Sequence, residues 1–144
     1  METQILHLSQ VAMIDWADRA WPGAIKPEWF AGQSEGRLAK PLGITQFGVN
    51  LVTLAPGAYS ALRHWHAAED EFVHVLSGEL VLIDEHGEHV LTAGSSAGFP
   101  AGVANGHHLV NRSDAPATFL AVGSRRPGDE VITYPDDDFG PVRK

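Results

Sequence analysis

The sequence predicts an all-β protein, a sandwich or a barrel, and three observations carry that prediction. Between Gly43 and Ser124, about eight short runs rich in Val, Ile, Thr and Phe follow one another. Turns of Gly, Pro, Asn, Asp and Ser separate them at close spacing. No segment sustains a helical period. Strand counting alone does not choose between a sandwich and a barrel.

Residues 1–42 read as an N-terminal arm. Ile5 to Leu8 and Val11 to Trp16 are expected as short strands, Trp21-Pro22-Gly23 as a turn, and Pro27 to Phe30 as one helical turn with proline at its first position. The arm is rich in large rings (Trp16, Trp21, Trp29, Phe30), which are expected to cover a barrel edge rather than to line a ligand pocket.

The strands of the central part, residues 43–125, follow in order. Ile44 to Leu54 ends at the Pro56-Gly57 turn, and Tyr59 to His66, Glu71 to Leu76 and Glu79 to Asp84 come next. His86-Gly87 turns the chain into His89 to Leu91. Ser96 to Phe99, His107 to Arg112 and Thr118 to Ser124 complete the series. Residues 126–144 read as a polar tail, opened by the break Arg125-Arg126-Pro127-Gly128. In it Val131 to Tyr134 forms a last strand, and Asp136, Asp137 and Asp138 are solvated.

Composition narrows the function. A formal charge of −8 argues against a nucleic-acid or anionic-membrane partner, which would need clustered Lys and Arg. With no cysteine, any metal must be held by nitrogen and oxygen. The first residues lack a basic start followed by an apolar block, so no signal peptide is expected and the cytoplasm is the expected compartment.

Chemistry concentrates in GAYSALRHWHAAEDEFVHVLSG, Gly57 to Gly78. Side chains alternate along a strand, so His64 and His66 share a face and Trp65 takes the other. If the chain reverses at Ala67 to Asp70, Glu71 opens the next strand beside the histidine pair. Two imidazoles and a carboxylate converging make a divalent-metal site. Glu69 and Asp70 are expected to stay solvated, as are His86 and His89. The inward neighbours Leu62, Val73, Val75 and Leu109 are apolar, so acid–base partners are scarce.

A second stretch, GSSAGFPAGVANGHHLVN from Gly94 to Asn111, completes a pattern. Together the two resemble the paired motifs of the cupin superfamily. Gly57, His64, His66, Glu71 and Gly78 match the first motif, with one extra residue before His64. Gly94, Pro100, Gly102 and Asn111 match the second. The family's histidine position after Gly102 holds Asn105, whereas counting back from Asn111 gives His107. His107 is therefore the expected fourth metal ligand, with Asn105 and His108 as the alternatives.

The resemblance implies a double-stranded β-helix, a jelly-roll barrel with a metal at its mouth. It implies metal ligands His64, His66, Glu71 and His107 around Zn, Fe, Mn or Ni. The expected partner is a small, oxygen-rich, anionic metabolite, acted on by dioxygenase, decarboxylase or isomerase chemistry. The alternative is a binding or sensing module without turnover. Small cupins pair, so a homodimer is also expected.

Overall fold

A computed structural model describes residues 2–21 and 25–144, and its elements are strands and single 3-10 turns. Twelve strands run β1 (Ile14–Asp15), β2 (Gln33–Arg37), β3 (Phe47–Leu54), β4 (Trp65–His66), β5 (Glu71–Ser77), β6 (Glu79–Asp84), β7 (Gly87–Thr92), β8 (Ser96–Phe99), β9 (His108–Val110), β10 (Ala117–Ser124), β11 (Val131–Thr133) and β12 (Val142–Arg143). They form a six-stranded sheet in the order β1-β2-β3-β10-β5-β8, and two three-stranded sheets, β7-β6-β9 and β12-β11-β4. All the pairings are antiparallel.

Registers give the barrel its gradient. One inward row across the large sheet is Gln33, Leu54 and Ala117, and the next is Glu35, Val52, Phe119 and Val75. A third row is Arg37, Asn50, Ala121, Val73 and Ala97, and a fourth is Gly48, Gly123, Glu71 and Phe99. Leu54, Val75 and Phe119 join Leu80, Leu82 and Leu109 of the facing sheet in the buried core. The closed, apolar end of the barrel therefore lies at one end of these rows and Glu71 at the other, where the barrel opens.

Gly78, between β5 and β6, has φ 78°, a left-handed conformation that suits glycine. A Cβ there would come within 2.8 Å of the Ala117 backbone, so the reversal requires this residue twice over.

Four sequence expectations change. Ile5 to Leu8 is not a strand. The chain instead makes a 3-10 turn at Leu8–Gln10, closed by a reciprocal cap between His7 and Gln10. Val11 to Trp16 shrinks to β1. Tyr59 to His66 is not one strand either: Tyr59 bridges Val110 and His64 bridges His107, so the segment bulges by two residues at 60–63. Finally β2, QSEGR, was not expected, because it lacks the β-branched and aromatic residues of a strand. The open edge of β3 recruits it, and the partner overrides local preference. The Pro27–Phe30 turn is present as expected. Pro22 and Gly23 of the expected Trp21-Pro22-Gly23 turn lie outside the described residues.

Candidate metal centre

His64 lies directly across from His107: its N–H donates to the His107 carbonyl at 3.2 Å, and its carbonyl accepts the His107 N–H at 2.9 Å. Residues paired in this way present their side chains on one face. Two residues on, His66 keeps the parity of His64, and Glu71 enters from β5. The four side chains meet at one atom. Glu71 Oε2 lies 2.6 Å from His107 Nε2, 3.2 Å from His66 Nε2 and 3.7 Å from His64 Nε2.

The outer nitrogens settle what these rings present. His64 Nδ1 is 2.7 Å from the Leu62 carbonyl and His107 Nδ1 is 2.9 Å from the Asn105 carbonyl, so both Nδ1 atoms carry a hydrogen and donate it. His66 Nδ1 donates to Glu130 Oε2 at 3.1 Å. In the neutral rings every Nε2 is therefore a lone pair aimed at a carboxylate oxygen. His66 Nε2 is buried without a hydrogen-bond partner. Acceptors facing acceptors must share a proton or a cation, and the donor set, three imidazoles and a carboxylate, could hold a divalent transition metal.

Without that cation, protons serve instead. Burial works to lower the His66 pKa, but Glu71 and Glu130 outweigh it and raise the value. Burial works to raise that of Glu71, yet the hydrogen bond with His107 and the adjacent His64 and His66 rings hold it well below the ordinary carboxylate range.

Three neighbours fix the rings. Phe99, paired with Glu71 across β5 and β8, stacks on His107 with centroids 3.5 Å apart and planes 5° from parallel. Glu130 orients His66 and also accepts the Ala68 N–H at 3.2 Å. Tyr134 packs against His64 at 5.9 Å. Both come from the tail, because β11 pairs with β4 and lays its flanking residues over the histidines. Burial raises the Tyr134 pKa. Burial also works to raise that of Glu130, but the Glu69 carboxyl group, the Ala68 N–H and His66 outweigh it and lower the value.

The alternative fourth residues lie elsewhere. Asn105 turns to β6, its Oδ1 accepting the Glu85 N–H at 3.0 Å, and so shapes the loop. His108 Nδ1 pairs with the Ala61 carbonyl at 2.8 Å, its ring lies against Tyr59, and burial lowers its pKa. His86 and His89 are exposed at the β6–β7 hairpin.

Other expectations are corrected here. Glu69 is buried, not solvated, because the tail crosses it and the Arg126 N–H donates to it at 2.9 Å. Asp70 is exposed. Asp136 is largely exposed but tethered: Arg63 donates to both its oxygens at 2.8 Å. Acid–base groups are not scarce. Glu35 and Tyr134 line the cavity of about 850 Å³ that opens on the four donors, contributed from outside both motifs. Trp16, Trp21 and Phe30 pack on one another at 4.4–5.4 Å and also wall this cavity, so they are more than an edge cover. Polarity at 33 and 35 in an otherwise exposed-looking arm was the only sign of Glu35 in the sequence, and nothing local marked Glu130.

This arrangement of barrel and donors is that of a cupin, and the comparisons agree. The cupin domain family matches residues 50–123, and the chain belongs to that family. It is similar to the crystal structure of a cupin-superfamily sugar phosphate isomerase from Silicibacter pomeroyi, at 45% identity over 96% of this chain and 90% of that one, with a TM-score of 0.86. The cupin domain of an XRE family transcriptional regulator from Enterobacter cloacae is 27% identical over 66% of this chain and 98% of that one, at a TM-score of 0.55. The polyketide cyclase RemF from Streptomyces resistomycificus is 20% identical over 90% and 84%, at 0.69, and shares the fold. Among curated proteins no match is found. No helix among the described residues is long and apolar enough to cross a membrane.

Proposed function

We propose that the protein is a metal-dependent isomerase of a small phosphorylated sugar. The observation that carries this reading is the meeting of three Nε2 lone pairs and a carboxylate at one point, open to a large cavity. The similarity to a sugar phosphate isomerase supplies the substrate class. His64, His66, Glu71 and His107 would hold one divalent ion, Zn, Fe, Mn or Ni. The ion supplies Lewis acidity toward a carbonyl or hydroxyl oxygen.

The protein's own side chains do the rest. Isomerisation moves a proton between neighbouring carbons, and Glu35 and Tyr134 are ionisable groups on the cavity wall outside the donor set. Asn50 Nδ2 donates to Glu35 Oε1 at 2.9 Å and fixes that carboxylate while leaving Oε2 toward Arg37. Phe30 and the two tryptophans supply an apolar part of the cavity wall. These groups favour an enzyme over the non-catalytic binding or sensing module. Exposed Phe47, Phe72 and Leu76 on the large sheet support a homodimer.

The test is to load the metal-free protein with each ion in turn and follow aldose and ketose phosphates by NMR. Interconversion that requires the metal is expected. A fully loaded protein that converts none of them overturns the reading.

A further inference from the structure

Half of the protein's positive side chains line one cavity. Arg19, Arg37, Lys40, Arg125 and Lys144 are five of the ten Lys and Arg residues in a chain of net charge −8. Four of its eighteen Asp and Glu residues lie there, namely Glu35, Glu69, Asp70 and Glu71. The cavity lining is thus enriched in cations, in a protein that is otherwise acidic.

Arg125 is the cation with a prepared seat. It follows β10 directly, and its side chain folds back over the sheet onto Gly48 and Gly123. A Cβ on Gly48 would overlap the guanidinium, and a Cβ on Gly123 would lie 3.4 Å from NH1. Both glycines belong to the Glu71 row: Gly48 pairs with Gly123, and Gly123 pairs with Glu71. The absence of side chains at these two positions leaves the guanidinium lying over the row that ends at Glu71. Neighbouring strands are ~4.8 Å apart, so the charge stands roughly 5–10 Å from the Glu71 carboxylate, the length of a short sugar chain.

The guanidinium is also uncommitted. Its contacts are long, 3.5 Å to the Gly123 carbonyl and 3.4 Å to the Ser124 carbonyl, and no carboxylate pairs with it among the described residues. Arg37 is engaged by Glu35, and Arg19 lies over the Trp16 and Trp21 rings at 4.9 and 4.7 Å. Arg125 is exposed and needs no rearrangement to accept an anion. A planar fork of N–H donors fits two oxygens of a phosphate at once.

We infer that Arg125, seated on Gly48 and Gly123, is the subsite that takes the phosphate group of a phosphate monoester whose other end reaches the metal donors. The inference deepens the isomerase reading and rests on it for the sugar. Arg125 would set affinity and selectivity for the phosphorylated substrate.

The test is calorimetric titration of the full-length, metal-loaded protein with D-ribose 5-phosphate and with D-ribose. Arg125→Gln should weaken ribose 5-phosphate binding by about 10- to 100-fold, as expected for loss of a charge-assisted pair, and leave ribose binding and metal content unchanged. Arg125→Lys should lose less. Gly48→Ala, which displaces the guanidinium but keeps its charge, should also weaken phosphate binding. Equal affinity of wild type and Arg125→Gln for ribose 5-phosphate overturns the subsite, and so does a wild type that binds the phosphate no better than the parent sugar. Arg125-dependent binding without turnover would retain the subsite and sink the isomerase. Turnover with a KM indifferent to Arg125 would do the reverse.

Discussion

His64 and His107 exchange both backbone hydrogen bonds across the mouth of the barrel, at 3.2 and 2.9 Å, although 43 positions separate them in the chain. The exchange puts their rings on one face with centroids 5.1 Å apart. It is one of the contacts through which the two sequence motifs become one site, and it is made by backbone atoms. Replacing either ring therefore removes a donor without breaking the pairing.

From that pairing, His64→Ala or His66→Ala should abolish stoichiometric metal binding while the β-sheet circular dichroism is retained, since the buried core is apolar and lies below the site. His107→Ala should do the same, and His108→Ala should change metal content little. Elemental analysis of the purified variants checks this. Full metal content in the doubly substituted His64→Ala, His66→Ala protein would disprove the site.

Glu130 reaches the metal donors only through His66. Glu130→Gln keeps the shape but weakens the bond that orients the ring, and should lower metal affinity by ~10–100-fold. Competition with a chelator measures it. Affinity equal to that of wild type would mean that the tail does not tune the ring.

Acidification should empty the site before it unfolds the barrel. Imidazole must be neutral to ligate, and the metal-free His66 binds its proton more tightly than an ordinary histidine, so protons compete for its ring. Glu71, held well below the carboxylate range, resists protonation until the pH is much lower. Metal content and turnover should fall together as pH drops through the raised His66 value, while the β-sheet circular dichroism is retained. Turnover that outlasts the metal would contradict this.

The tail has its own acid sensitivity. The hydrogen bond from Arg63 lowers the Asp136 pKa, so the pair's contribution is complete above the ordinary carboxylate value and is lost as pH falls through the lowered one. At neutral pH, Asp136→Asn should speed hydrogen exchange at β11 and around Tyr134, and leave β3, β5 and β10 protected. Unchanged exchange in the tail would show that Arg63 does not tether it.

Gly78→Ala should destabilise the barrel by about 1–3 kcal/mol, combining a left-handed backbone with the close approach to Ala117. Thermal unfolding should move down by ~2–4 °C for each kcal/mol. Gly87→Ala has open space beside it, so its loss should be confined to the cost of its backbone conformation.

By itself, the sequence determined the β class, the parity of His64 and His66, and the place of Glu71 at the head of β5. These are local matters: a strand alternates with period two, and a turn of small and acidic residues announces a reversal. The paired motifs, in turn, pointed to His107 across a lengthened loop. Only the tertiary structure decided what surrounds those donors. Glu130 and Tyr134 come from a tail that reads as polar, and Glu35 comes from β2, which does not read as a strand. Periodicity reports which face a residue occupies within its own segment. It carries no information about which distant segment will be laid over that face, because that choice is made by unpaired sheet edges and charges finding partners, Arg63 for Asp136 and the edge of β3 for Gln33–Arg37.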